Sequence, residues 1–372
     1  MQLSKDDTTY VASRFIDYMQ KYSTIEEYFR MKKIDRIKSL PTTLAGFGFE
    51  GDMFSNFNMT PNDMDFEVVE VLNSQFDTML EMTASFTYES SPGKQLKLGV
   101  KEKNTNTYVG FIKLASPLIN SKPRNDWLGG VPDLKVFNRH AIMGYIIVPT
   151  QPFGFNYLGG KLLSLVCSSH EVREMVNKKY PEMETCLFET TSLYGSIKGT
   201  SQYDGLKPFI RHTGDTESKF MLTLSDEFYN DMVVWFTKRN DGEPLVARTE
   251  SSRKLKMQTK MVSIVKQELK KHDQTLYDQF VAAVKASTDI TTQKRFYMST
   301  YGFENTREVL LGQASKLVES KENYDKHYMA NMTAWWKRKA SSRYENLTTE
   351  NKVRHEQEIW TEETMNKIDI IR

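Results

Sequence analysis

Apolar side chains recur at helical spacing through the first part of the chain. The run TTYVASRFIDYMQKYSTIEEYFRMKKIDRIKSL, residues 8–40, carries aromatic and aliphatic residues three and four apart and stops before Pro41, which predicts helices separated by a loop. AGFGFEGDMFSNFNMTPND, rich in Gly, Asn and Asp, reads as loop, and residues 65–82 read as helix again. From Gln95 the period falls towards two. QLKLGVKEKNTNTYVGFIKLAS alternates on either side of the polar turn KNTNT, a β-hairpin pattern. An irregular segment with Pro117, Pro123, Trp127, Gly129 and Gly130 follows, and then His140 to Val148, apolar enough for a central strand. Gly159 to Tyr180 predicts an amphipathic helix and ETCLFETTSLYG a fourth strand, after which the helical period returns near residue 245 and holds to residue 372. The expected fold class is α+β, with a mixed β-sheet core over residues 91–240, a helical N-terminal region over 1–90 and a helical C-terminal region over 241–372.

Composition narrows the function classes. With 39% hydrophobic and 12% aromatic residues, a chain of 372 residues can bury a sizeable core. No apolar run approaches the ~20 residues of a membrane helix, and MQLSKDDTTY lacks the order of a signal peptide. A cytoplasmic protein with no membrane partner is expected. The two cysteines, Cys167 and Cys186, form no C-x-x-C and have no histidine at ligand spacing, and His140, His170 and His212 are scattered, so no metal is expected. The cysteines read as small buried hydrophobes.

Charge is asymmetric although the net value is only +2. Residues 1–90 hold 8 Lys and Arg against 15 Asp and Glu, the remainder 42 against 33, with the sign changing near Ser91-Pro92-Gly93. A basic excess points to an anionic partner, because phosphates bound by lysine and arginine release counterions. In SRKLKMQTKMVSIVKQELKKH, Met257, Met261, Val265 and Leu269 form an apolar stripe among Arg253, Lys254, Lys256, Lys260, Lys266, Lys270 and Lys271. QKRFYMSTYGF and AWWKRKASSRY mix cations with aromatics, a combination that grips phosphates and stacks on bases. Candidate nucleic-acid contacts are Arg253, Lys254, Lys256, Lys260, Lys337, Arg338 and Lys339, together with Arg124. Trp335 and Trp336 read as core.

The stretch QPFGFNYLGGKLL sets three glycines between the apolar run AIMGYIIVPT and a helix. A helix N-terminus presents unpaired N–H groups, and glycines let the backbone approach a phosphate, which makes Gln151, Gly154, Gly159, Gly160 and Lys161 candidates for holding a diphosphate. The same glycines serve equally to seat the helix on the sheet. The stretch lacks both G-x-x-x-x-G-K-[ST] and G-x-G-x-x-G, which disfavours P-loop and dinucleotide cofactors.

The ordered pieces YVGFIKLAS, YIIVP and Gln151-Pro152-Phe153-Gly154-Phe155-Asn156 resemble the hairpin, strand end and pyrophosphate arm of the GNAT superfamily of acyltransferases, with Asn156 where that family has Gly or Ala. The resemblance implies acetyl-coenzyme A or another acyl-coenzyme A as cofactor. A narrower resemblance, to the Druantia protein A family of phages and mobile elements, rests on YVGFIKLASP, RNDWLGG, LGGKLL, LFETTSLYG and GTSQYDGLKPFIRHTGDTES. Arg124, Asp126, Glu189, Thr190, Gly199, Thr200, Tyr203, Gly214 and Thr216 fall on its motif positions, with Asn125 inserted. The LGGKLL and TSLYG variants are similar to a subgroup of large tailed phages. A similar fold in the Mom proteins of phage Mu, which modify DNA bases, places nucleic acid, DNA ahead of RNA, as the implied partner.

In a GNAT-like site Tyr203 would be the general acid, with Tyr194 its competitor, and Glu189, which interrupts an apolar strand, would either face a cleft or be buried with Arg124 or Arg211. Asp126 and Trp127 would belong to a loop over that cleft. Two readings follow. One is a phage-encoded transferase acting on nucleic acid, with DNA base modification as its chemistry; Glu189 and Tyr203 favour it. The other is a non-catalytic nucleic-acid-binding module in phage defence or counter-defence; Asn156 and the lack of a clear base favour it.

Overall fold

The computed structural model describes residues 1–38, 52–86, 93–247 and 253–371. AGFGFEG and the Ser91-Pro92 charge boundary lie outside the described residues. The architecture is α+β, built on one seven-stranded mixed sheet of order β1-β2-β3-β4-β5-β7-β6. Its strands are β1 (Phe66–Glu70), β2 (Gln95–Glu102), β3 (Thr107–Ala115), β4 (Ala141–Pro149), β5 (Leu187–Ser192), β6 (Arg211–Lys219) and β7 (Gln293–Ser299). β4 and β5 run parallel and the other neighbours antiparallel.

The hairpin around KNTNT forms as its alternation predicts. Leu98 lies opposite Ile112, and the Glu102 carboxylate ties the turn by accepting from the Asn104 and Thr105 amides. Residues 65–82 are not one helix. FEVVE pairs with β2, because its β-branched residues suit a ladder, and only Asn73–Thr83 coils as a helix, α3. QKRFYMS likewise departs from the helical expectation for residues beyond 245: it enters the sheet between β5 and β6 and buries Phe296, Tyr297, Met298 and Ser299. The sheet thus draws strands from all three sequence regions.

Gly159 to Tyr180 is two helices, α7 (Gly159–Cys167) and α8 (His170–Lys179), because the Ser169 hydroxyl accepts from the Val172 amide and starts a new helix. The irregular segment holds short helices α4 (Lys122–Leu128) and α5 (Leu134–His140), α4 ending at Gly129 with φ +79. Asp126 and Trp127 thus sit on a helix. A short α6 (Phe153–Tyr157) precedes α7, α9 (Leu193–Lys198) follows β5, and a short α13 (Thr306–Leu310) follows β7.

Two hydrophobic clusters carry most of the core. One joins a face of the sheet to α7, α8 and the long C-terminal helix α14 (Met329–Thr349), whose Trp336 is fully buried and donates Nε1–H to the Tyr157 carbonyl at 2.9 Å. Cys167 and Cys186 are buried there as free thiols. The other cluster is helical, joining α1 (Lys5–Met19), α2 (Ile25–Lys38), α10 (Asp226–Arg239), α11 (Arg253–His272) and α12 (Gln274–Asp289). On the sheet's other face α3 packs Phe76, Met79 and Leu80 against Phe111 and Ile146.

Candidate functional site

The pairing of β4 with β5 runs from Ala141 opposite Leu187 to Gly144 opposite Thr190 and stops, while β4 continues to Pro149 on β3. Beyond Gly144 the parallel strands part. Their C-terminal ends wall a cavity of about 1170 Å³, lined by Tyr145, Ile147 and Pro149 from β4 and by Thr191 and Ser192 from β5. The carboxyl ends of diverging parallel strands are where open α/β sheets hold ligands. One further device shapes this wall: Lys113 faces Ile146 while Leu114 faces Gly144, which leaves Tyr145 as the extra residue of a β-bulge. A bulge takes its extra residue out of the ladder and re-aims its side chain. Tyr145 is 38% exposed in an otherwise buried stretch and turns towards the cavity lining.

The glycine turn forms the next wall. Gln151, Gly154, Gly160 and Lys161 line the cavity. Gly159 does not; a Cβ there would lie 2.6 Å from the Phe153 ring and 3.0 Å from Gly154 Cα, so this glycine permits close packing. The amides of Gly154 and Asn156 donate to the carbonyls of Thr150 and Pro152, and that of Phe155 to Gln151 Oε1. Asn156 is buried and clasps the Arg354 backbone, its Nδ2 donating to the carbonyl at 2.7 Å and its Oδ1 accepting the amide at 3.0 Å. The Arg354 guanidinium stacks 3.9 Å over the Phe155 ring, and the Glu358 amide donates to the Gln151 carbonyl. Residues 354–371 therefore run against the turn and supply a third wall through Arg354, Glu358, Lys367 and Ile368.

Lys161 Nζ donates to the carbonyls of Gln202 and Asp204, while the Asp204 carboxylate is engaged by Arg295 and the Tyr297 hydroxyl. Burial pulls the Lys161 pKa below the usual lysine range, with the Asp204 charge opposing. Tyr203 lies in the loop between α9 and β6, with its hydroxyl 3.3 Å from Thr190 Oγ1, which donates to the Gly144 carbonyl. Burial pushes the phenol up to about 12, so it keeps its proton throughout the neutral range. Tyr194 lines the same cavity.

The family model described as Druantia protein DruA matches residues 21–283. The chain belongs to the Druantia protein DruA family. No curated protein and no solved structure matches it. The match takes in β1 to β6 and stops before β7 and before residues 354–371, so one inner strand and one cavity wall of this DruA-family chain lie beyond it.

Of the motif residues, Glu189 and Arg124 are brought together away from the cavity lining. Both side chains are fully buried, paired at 3.3 Å, and Arg124 also donates to the carbonyls of Leu118 and Ile119 and stacks on Phe137 at 4.1 Å. Burial pushes the Glu189 carboxyl up to about 7 against the pull of Arg124. The pair fastens α4 and its approach to β5. Arg124 is accordingly not an exposed phosphate contact, and Glu189 is the buried partner of an arginine. The remaining basic candidates fall on two surfaces. Lys254 pairs with Asp226, while Lys256 and Lys260 are exposed on α11 with Arg253 at its first position. On α14, Lys337 donates to the Asn62 carbonyl, while Arg338 and Lys339 are exposed.

Three contributors escaped the sequence reading. Tyr145 had a signal, since Gly144 inside an apolar strand marks a bulge or close backbone approach. Lys294 lines the cavity from β7, which the helical expectation concealed. Arg354 had none, because a polar extended segment carries no periodicity. Among the described residues no group of three His, Cys, Asp or Glu side chains is placed to hold a metal ion, and no helix is long and apolar enough to cross a membrane.

Proposed function

We propose that this protein is a GNAT-like transferase that acts on nucleic acid, DNA ahead of RNA, with an acyl-coenzyme A held in the cavity between β4 and β5. The observation that carries the reading is the parting of the parallel pair β4 and β5 in the order β1-β2-β3-β4-β5-β7-β6 beside the bulge at Tyr145, with the glycine turn at the cavity's edge. The residues fit a diphosphate. Lys161 brings a half-buried ammonium whose contacts are neutral carbonyls, and Gly160 sets the first turn of α7 in the cavity lining with the movable end of Gln202 against it. Gln151, Gly160, Lys161 and Arg354 would hold the cofactor, which would supply an activated acyl group. Tyr203 holds a proton that only a strongly basic leaving group could take. DNA base modification in a phage setting is the chemistry this reading favours.

A second reading, a nucleic-acid-binding module without catalysis in phage defence or counter-defence, draws on the arm itself. The amides of Gly154, Phe155 and Asn156 are spent on internal partners, and Asn156 clasps Arg354. Calorimetric titration with acetyl-coenzyme A and with coenzyme A separates the two. Binding that is lost in Gly160→Val, with an unchanged thermal midpoint, supports the transferase. A Cβ at Gly160 meets the flexible end of Gln202, so the fold should tolerate it, whereas at Gly159 it meets backbone. No heat at millimolar ligand would leave the binding module, and intact-mass analysis of nucleosides from expressing cells would then show no modified base.

A further inference from the structure

A second cavity, of about 570 Å³, adjoins the first and shares with it Phe29, Leu118, Phe220 and Lys294. It lies between β6, the segment before α4, and α2, on ground that neither the glycine turn nor Tyr203 reaches. Its charge is one-sided: Lys32, Lys122, Lys219 and Lys294 line it against a single carboxylate, Glu217. Lys294, at the junction, makes no ion pair among the described residues. Burial alone lowers its pKa, as expected of an ammonium held without a counter-charge. Lys219 meets Asp289 only at 4.0 Å, and Lys122 pairs with the exposed Asp126. The Ser121 hydroxyl, 7% exposed, lines the cavity and has no hydrogen-bond partner among the described residues. A buried hydroxyl left unpaired costs stability unless something else completes it. Phe220, Met221 and Leu255 supply an apolar wall.

We infer that this second cavity is the acceptor subsite, and that it takes one nucleotide of a single-stranded or opened nucleic acid. The phosphate lies on Lys122 and Lys219, the Ser121 hydroxyl is completed by the ligand, and the base points along the apolar wall to Lys294 and the first cavity. Four cations with one carboxylate select a polyanion, and an apolar wall that includes the Phe220 ring suits a base better than an acidic side chain. The acceptor role rests on the transferase reading; the anionic-strand site does not.

The test uses the full chain with a short, labelled, mixed-sequence single-stranded oligodeoxynucleotide, and acetyl-coenzyme A as a separate ligand. Lys219→Glu and Lys294→Met should each weaken the oligonucleotide about tenfold or more, and Lys219→Glu, which removes a phosphate contact, should also flatten the salt dependence by about 0.7 in slope, the single-strand value for one contact. Lys219 lies outside the first cavity, so acetyl-coenzyme A binding should survive Lys219→Glu; failure of that ligand on the unaltered protein would sink the transferase reading without touching the strand site. Iodouracil photocrosslinking of the unaltered protein should mark peptides holding residues 28–32 and 216–223, which keeps the test valid if a variant does not fold. Unchanged affinity in both variants, adducts confined to α11 or α14, or tighter capture of oligoglutamate than of the oligonucleotide would overturn the assignment.

Discussion

At the scale of single residues, histidine burial fixes an acid sensitivity. His327 is 2% exposed, and its Nδ1 lies 2.8 Å from the Ser168 carbonyl, which requires a donated N–H. Burial lowers its pKa from 6.5 to about 4. Between those values the unfolded chain binds the proton and the folded chain does not, so stability is full above about 6.5 and falls as the pH drops through about 4. The loss should reach about 3 kcal/mol. In His327→Phe the unfolding free energy, followed by denaturant titration, should fall less over that window, and an identical fall would show that other groups set the acid response. His170, 4.0 Å from the Tyr324 ring, is lowered in the same direction and leaves a residual slope. In the sequence His170 is one of three scattered histidines without metal spacing and His327 carries no signal at all, because a pKa depends on neighbours brought from distant segments. Glu189 shows the same limit from the other side: a carboxylate in an apolar strand announces itself, whereas its partner Arg124, 65 positions away, was one of two candidates.

At the scale of elements, what the sequence revealed tracks hydropathy. The hairpin of β2 and β3 and the buried strand β4 were legible because their alternation or apolarity is strong. β6, RHTGDTESK, is an edge strand with little burial, so nothing in its pattern separates it from loop, and β7 was taken for helix because its cations masked a short alternation. The junction between sheet and α7 gives a sharp test. A Cβ at Gly110 on β3 would approach the Val148 carbonyl oxygen at 2.7 Å and Pro149 Cα at 2.9 Å, both backbone, besides the Leu163 side chain. Backbone cannot swing aside. Gly110→Ala should therefore destabilise by about 1–3 kcal/mol or more through overpacking, read as a lower denaturant midpoint. An unchanged midpoint would mean that the β4 backbone at Val148 and Pro149 does not lie this close to Gly110.

At the scale of the whole molecule, residues 354–371 bridge the two clusters. Asn156 and Gln151 hold this segment at the sheet, while Trp360, Ile368 and Ile370 are buried in the helical cluster. Arg30 adds its guanidinium to the carbonyls of Met365 and Ile368. Charge asymmetry did not foretell this arrangement: the basic C-terminal third divides, with α11 on the helical cluster and α14 on the sheet cluster. Trp360 is the anchor to test. It is 1% exposed, its amide donates to the Met82 carbonyl at 2.9 Å, and Lys33 Nζ lies 5.6 Å from its ring. Its indole Nε1–H is buried without an acceptor among the described residues. Trp360→Ala removes a large buried surface and should cost about 3–5 kcal/mol. Trp360→Phe loses part of that surface but also removes an unsatisfied donor, so its cost should be clearly smaller. Hydrogen exchange locates the effect. The Glu358 and Trp360 amides, bonded to Gln151 and Met82, should exchange faster in the alanine variant and near the unaltered rate in the phenylalanine variant. Equal loss in both variants would mean that the indole N–H finds a partner in solution, and equal exchange in all three proteins would mean that the segment is held by Asn156 and Arg30 without its tryptophan.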